Sequence, residues 1–166
     1  MPLRRVAWRF LEPMGACVVM GVATLGPLSA GSASAGNVPV QPFTSKRGPV
    51  AASETFRAFL ELPAPLKVCQ PGEVRVVLEC MTPYKCNEKY PQKFVLEPND
   101  AVRFEHTTVR EVQFAQNRAV MSVPLAPLRP GRQEVSGLLS FSVCSDSECL
   151  IEKRQLSLTA NVQPHR

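Results

Sequence analysis

Cys144-Ser-Asp-Ser-Glu-Cys149 places two thiols with four residues between them, flanked by segments that read as strands, Glu134–Val143 and Leu150–Val162. Two thiols at a hairpin tip either lock the hairpin or exchange electrons with another protein. Antiparallel neighbours in a non-hydrogen-bonded pair have Cα atoms about 4.5 Å apart, within disulfide reach. The pair can therefore bond directly across the hairpin base. As a lock it closes a small loop, so on the loop-entropy model it contributes only about 2 kcal/mol. As an exchanging pair it lacks self-activation. Asp146 and Glu148 stand between the thiols, and like charge disfavours a thiolate. Lys153 and Arg154 offset part of that charge. Such a pair reacts mainly inside a docked complex, where the partner supplies the low-pKa thiol.

Cys69, Cys80 and Cys86 form a second group. Cys80 ends a candidate strand and Cys86 lies in the following loop. Both Cys80–Cys86 and Cys69–Cys80 bonds fit the spacing, and sequence does not choose between them. The spacing is wrong for a structural zinc site, and the only histidines are His106 and His165. His106 reads as an exposed loop residue. Two histidines offer no convincing triad, and no Gly-rich phosphate loop follows a strand. We therefore expect no metal and no cofactor.

The elements that must position these thiols read as strands. Glu73–Cys80 is β-branched and mostly alternating, after a Gln70-Pro71-Gly72 turn. Gln92–Leu96 is a short strand. Val109–Phe114 alternates, Gln116-Asn117 makes a turn, and Ala119–Leu125 is the next strand. Pro124 is expected at its edge or end, because proline cannot donate to a ladder. Leu128–Gly131 turns the chain into the final two strands. Ser53–Leu62 fits either one short helix or an entering strand. About seven short strands, with Pro and Gly turns between them, predict an all-β, antiparallel, immunoglobulin-like β-sandwich.

The N-terminus reads as an export signal. Arg4, Arg5 and Arg9 precede an apolar run from Met14 to Leu28, and Ala33-Ser34-Ala35 supplies a cleavage site after Ala35. The run is short for a span of ~20 apolar residues, and it contains Gly and Pro. We expect a signal over residues 1–35, a flexible leader over 36–57 and one domain over 58–166. The mature chain is expected to be soluble and periplasmic or secreted. The whole chain has 19 basic and 14 acidic residues; the signal removes three arginines and Glu12, leaving 16 against 13, or +3. That mild, scattered charge excludes a nucleic-acid surface. Cys17 leaves with the signal, and the five remaining cysteines imply one thiol that is free or pairs with another molecule.

The hairpin carries a resemblance. Val135–Leu158, with its strand, cysteine, short acidic loop, second cysteine and final strand, resembles the end of the N-terminal periplasmic domain of the thiol:disulfide interchange protein DsbD. Pro83–Phe94 is similar to that family's Gly-Tyr segment leading into a strand, and Asn117–Leu125 to its strand ending in Leu-Pro-Val. The resemblance covers roughly residues 65–162. It implies that Cys144 and Cys149 relay electrons to periplasmic thioredoxin-like partners, fed by a separate membrane electron donor. It implies that Tyr84 lies beside them as a packing or hydrogen-bonding neighbour. It also brings Cys86 close enough to serve as a third exchanging thiol.

A second reading is a non-enzymatic β-sandwich, binding or structural, in which the Cys144–Cys149 bond is only a staple. Two features favour it. Leu150-Ile151-Glu152 follows Cys149 where the family has prolines. Glu105-His106-Thr107-Thr108 lacks the aromatics with which the family covers its cysteines.

Overall fold

The computed structural model describes residues 44–165. The expected signal, Cys17 and the first part of the expected leader lie outside them. Twelve strands follow one another: β1 (Lys46–Arg47), β2 (Ala51–Ala52), β3 (Phe56–Leu62), β4 (Gly72–Cys80), β5 (Lys85–Cys86), β6 (Lys93–Leu96), β7 (Val102–Phe104), β8 (Thr108–Val109), β9 (Gln113–Ala115), β10 (Arg118–Pro127), β11 (Gly131–Cys144) and β12 (Cys149–Val162). One antiparallel sheet runs β1-β3-β4-β10-β7, with β2 on β3 and β9 on β10; the other runs β12-β11-β6-β8, with β5 on β11. The two pack together as a β-sandwich, as the strand pattern predicts. Among the described residues no helix is long and apolar enough to cross a membrane.

Period-2 alternation builds the core. In β10, Ala119, Met121, Val123 and Leu125 point inward while the residues between them are less buried. Val74, Val76, Leu78 and Cys80 of β4 join them, as do Phe56, Ala58, Leu60 and Leu62 of β3. The other sheet contributes Val135, Leu139, Phe141 and Val143 of β11 with Leu156, Leu158 and Ala160 of β12. Phe56 and Phe141 meet edge to face across the sandwich, with ring centroids 4.8 Å apart.

Several elements differ from expectation for identifiable reasons. Phe56–Leu62 is a strand, because both its faces find partners: Phe59, on the side away from the core cluster, lies under the Arg47 guanidinium. Residues expected as leader contribute β1 and β2, which pair with β3. The continuous alternation over Val109–Phe114 divides into β8, on the second sheet, and β9, on the first. The chain crosses between sheets at residues 110–112. Pro124 lies inside β10, opposite Glu73. Its carbonyl faces Glu105 N, 3.5 Å away. Its nitrogen lies on that same side, past the end of β7, so the ladder to β4 loses no bond. The two-residue turn Gln116-Asn117 joins β9 to β10, with Gln116 at φ 53°.

Gly137 shows how closely the second sheet is built. A Cβ there meets the Val95 carbonyl oxygen at 2.5 Å and the Phe94 ring at 2.6 Å. Val95 belongs to the neighbouring strand backbone and Phe94 is fully buried, so neither yields easily. Gly137→Ala is expected to destabilise the domain by about 2 kcal/mol. Urea unfolding measures it, and an unchanged midpoint refutes the close approach of β6 to β11.

Candidate functional site

The β11–β12 hairpin keeps unbroken register from Gly131↔Val162 to Cys144↔Cys149. Its four-residue tip is held by Ser145, whose N–H donates to the Glu148 carbonyl at 2.8 Å. The Ser145 hydroxyl accepts from the Ser147 and Glu148 backbone N–H groups, both at 3.3 Å. Because Ser145 and Glu148 are the hydrogen-bonded pair, Cys144 and Cys149 form the adjacent non-hydrogen-bonded one. That is the closer kind, and the two are joined by a disulfide with Cα atoms 4.1 Å apart. Cys149 is exposed and Cys144 half-buried.

The other cysteines are placed differently. Cys80 and Cys86 are bonded to each other, Cα to Cα 5.6 Å, which selects one of the two pairings left open by spacing. The bond ties β4 of the first sheet to β5 of the second. Cys69 is disulfide-bonded too, and no described cysteine is free. Cys86 lies opposite Val143, while Cys144 lies opposite Lys85. Directly opposed residues share a face. Cys86 thus faces the core with Val143, and Cys144 faces outward with Lys85. The two disulfides occupy neighbouring strands but opposite faces, which argues against Cys86 as a third exchanging thiol.

Tyr84 and Glu148 come together across the tip: the Tyr84 O–H donates to Glu148 Oε1 at 2.6 Å. That hydrogen bond, more than burial or the carboxylate's charge, raises the Tyr84 pKa above its ordinary value. The phenol stays protonated through the ordinary tyrosine range, and the clasp is lost only as pH rises through the raised value. By alternation, Tyr84 and Glu148 share the core side of the tip with Ser145 and Val143, away from the disulfide. Asp146 is exposed at the apex.

The two basic residues of β12 also divide between faces. Lys153 opposes Ser140 on the cysteine face, whereas Arg154 opposes core residue Leu139. Arg154 is occupied there by Glu152 at 2.8 Å, by the Lys153 carbonyl at 2.9 Å and by the Phe56 ring. The cations on the cysteine face are Lys85, opposite Cys144, and Lys153 and Lys93, which oppose Ser140 from β12 and β6.

Sequence reasoning did not single out Lys85, Ser142, Asn87 or Ile151. Ile151 is 65% exposed and, two residues after Cys149, shares its face. Ser142 precedes Cys144 by two residues, so strand alternation alone puts both on one face. Its hydroxyl lies 4.0 Å from Cys144 Sγ. Glu105–Thr108 does not reach the tip; Thr108 pairs with Val95 on β6, which meets β11 only as far as Ser140, ~13 Å along the strand from Cys144. His106 is exposed there. It borders a hollow of about 750 Å³ beside Ser122 and Pro124, in the gap between β9 and β7. That hollow holds none of the cysteines. Among the described residues no group of three or more His, Cys, Asp or Glu side chains is placed to hold a metal ion. No known family model matches the chain, and no curated protein matches it in sequence.

Proposed function

We propose that this chain is an exported thiol–disulfide exchange domain, similar to the N-terminal domain of DsbD, that relays electrons through Cys144 and Cys149. The observation that carries this reading is where the bond sits. It closes the last rung of a hairpin that is in register along its whole length, so the fold needs it little. Cys149 is nevertheless exposed at its end, beside exposed Ile151. The partner is a thioredoxin-like protein of the same compartment, with a separate membrane protein as electron donor to the relay.

In the exchange, a partner thiolate attacks Cys149 Sγ, the more accessible sulfur. The Cys144–Cys149 bond breaks, a partner–Cys149 bond forms, and Cys144 departs as a thiolate that takes a proton from water. A second partner thiolate then attacks the partner sulfur of the mixed bond. Cys149 is released, the partner is left as a disulfide, and two electrons have passed to this chain. Run backwards, the same steps reduce the partner.

The competing reading is a binding or structural sandwich with a stapled hairpin. The position of Glu105–Thr108, beside β6 rather than over the cysteines, favours it. A redox titration against dithiothreitol and glutathione separates the two. An exchanging pair is expected to lie well above roughly −300 mV, and a staple below it. A potential in the staple range sinks the relay.

A further inference from the structure

We propose that the Ser142 hydroxyl receives the leaving sulfur: as a partner thiolate attacks Cys149, the Ser142 O–H donates a hydrogen bond to the departing Cys144. This rests on the exchange reading above and assigns Ser142 a catalytic role in it.

The assignment follows from a chain of donors. Gln92, 3% exposed, donates its side-chain amide to the Asn87 carbonyl at 3.2 Å. The Asn87 side-chain oxygen accepts from the Lys89 N–H at 3.1 Å. That fixes the orientation of the amide, so its nitrogen is the atom facing Ser142 Oγ, at 3.4 Å. The Asn87 backbone N–H also donates to the Ser142 carbonyl at 3.0 Å, holding the loop on β11. Ser142 therefore accepts from Asn87 and keeps its own proton to donate. The sulfur of Cys144 lies 4.0 Å away. That sulfur carries no proton in the disulfide, so the hydroxyl is the only donor of the two.

Burial gives the arrangement its direction. Ser142 is 1% exposed, so its hydroxyl is held against a single nearby sulfur and shielded from water. The contact is long for a neutral disulfide sulfur. A thiolate is a much stronger acceptor, so the interaction strengthens as charge develops on Cys144 and favours the transition state over the ground state. Cys149 has no such neighbour among the described residues, which makes Cys144 the better leaving group and Cys149 the sulfur that is attacked.

The charged groups around Cys144 do not replace this donor. Lys85 faces it from β5, and Lys153 of β12 and Lys93 of β6, both opposite Ser140, share its face. Asp146 is exposed at the apex, Glu148 is turned to Tyr84 on the other face, and Glu88 and Lys89 flank Asn87 as a pair of opposite sign. Among the described residues none of these charged groups is bonded to Cys144, whereas the Ser142 hydroxyl is in contact with its sulfur.

The test titrates Cys144 alone, in full-length Cys149→Ala protein, by thiolate ultraviolet absorbance. Adding Ser142→Ala is expected to raise the Cys144 midpoint by about one pH unit. Ser142→Thr, which keeps the hydroxyl, is expected to restore it. Asn87→Asp turns that hydroxyl toward a carboxylate and is expected to raise the midpoint as well. If Ser142→Ala does not fold, the Thr and Asp variants decide between them. A midpoint unmoved by loss or diversion of the hydroxyl overturns the assignment. In the intact pair, Ser142→Ala is expected to slow reduction by thioredoxin about threefold. If thioredoxin fails to reduce the unaltered protein, the exchange reading falls, while the Cys144 titration still judges Ser142 separately.

Discussion

Cys144→Ser is expected to trap a thioredoxin-like partner as a mixed disulfide, and Cys149→Ser is not. The partner is a thioredoxin whose resolving cysteine is serine and whose remaining thiol carries thionitrobenzoate. The Cys149 thiolate of the first variant attacks the partner sulfur and releases coloured thionitrobenzoate. Cys149 is exposed and Cys144 half-buried, so the second variant presents its only hairpin thiol in a poorer position for attack. The trapping rate is expected to fall by about two orders of magnitude from Cys144→Ser to Cys149→Ser. Both variants lose the same short-loop disulfide, about 2 kcal/mol on the entropy model, so matched unfolding midpoints show that the difference is chemical. Trapping by Cys149→Ser alone reverses the assignment of the two sulfurs. Trapping by neither removes the relay.

What could be read from the sequence follows from how local each signal is. The hairpin, β4 and β10 were legible because period-2 alternation and turn residues lie within a few positions of each other. The first half of β12 was harder. Its core-side positions include Glu152 and Arg154, which pair with each other where Arg154 covers Phe56, so the apolar period begins only at Leu156. The crossover at residues 110–112 was hidden because alternation continues through it, although β8 and β9 belong to different sheets. Pro124 was misplaced for a similar reason. Its tolerance depends on a gap left by two other strands, and no neighbour in sequence announces that gap.

At the site, the bond between Cys144 and Cys149 was legible from spacing, and Ser142 could have been found from the same alternation. Asn87 could not, because its contact with Ser142 depends on how the β5–β6 loop folds over β11. The face of Cys86 was equally hidden. Placing it requires the register Cys86↔Val143, and the resemblance supplied only proximity. Spacing therefore finds the bonded pair, while tertiary pairing decides which groups stand beside each sulfur.

Phe141→Ala should cost about 4 kcal/mol, the cavity-forming range for a buried phenylalanine. Phe141 is fully buried and packs edge to face on Phe56, itself fully buried in the opposite sheet. Removing it opens a void between the sheets that β-sheet backbones cannot easily collapse to fill. The corresponding fall in Tm is about 15 °C, and urea unfolding should show a lower midpoint at an unchanged slope. Leu138→Ala is the control: it lies three residues away on the same strand, with 38% exposure on the outer face, and should cost less than about 0.5 kcal/mol. The contrast tests more than packing. If Phe141 is inside, strict alternation along β11 sets Ser140, Ser142 and Cys144 outside, where a partner can reach the disulfide. Comparable costs at the two positions would mean that the faces are misassigned, and the placement of Ser142 beside Cys144 would fall with them.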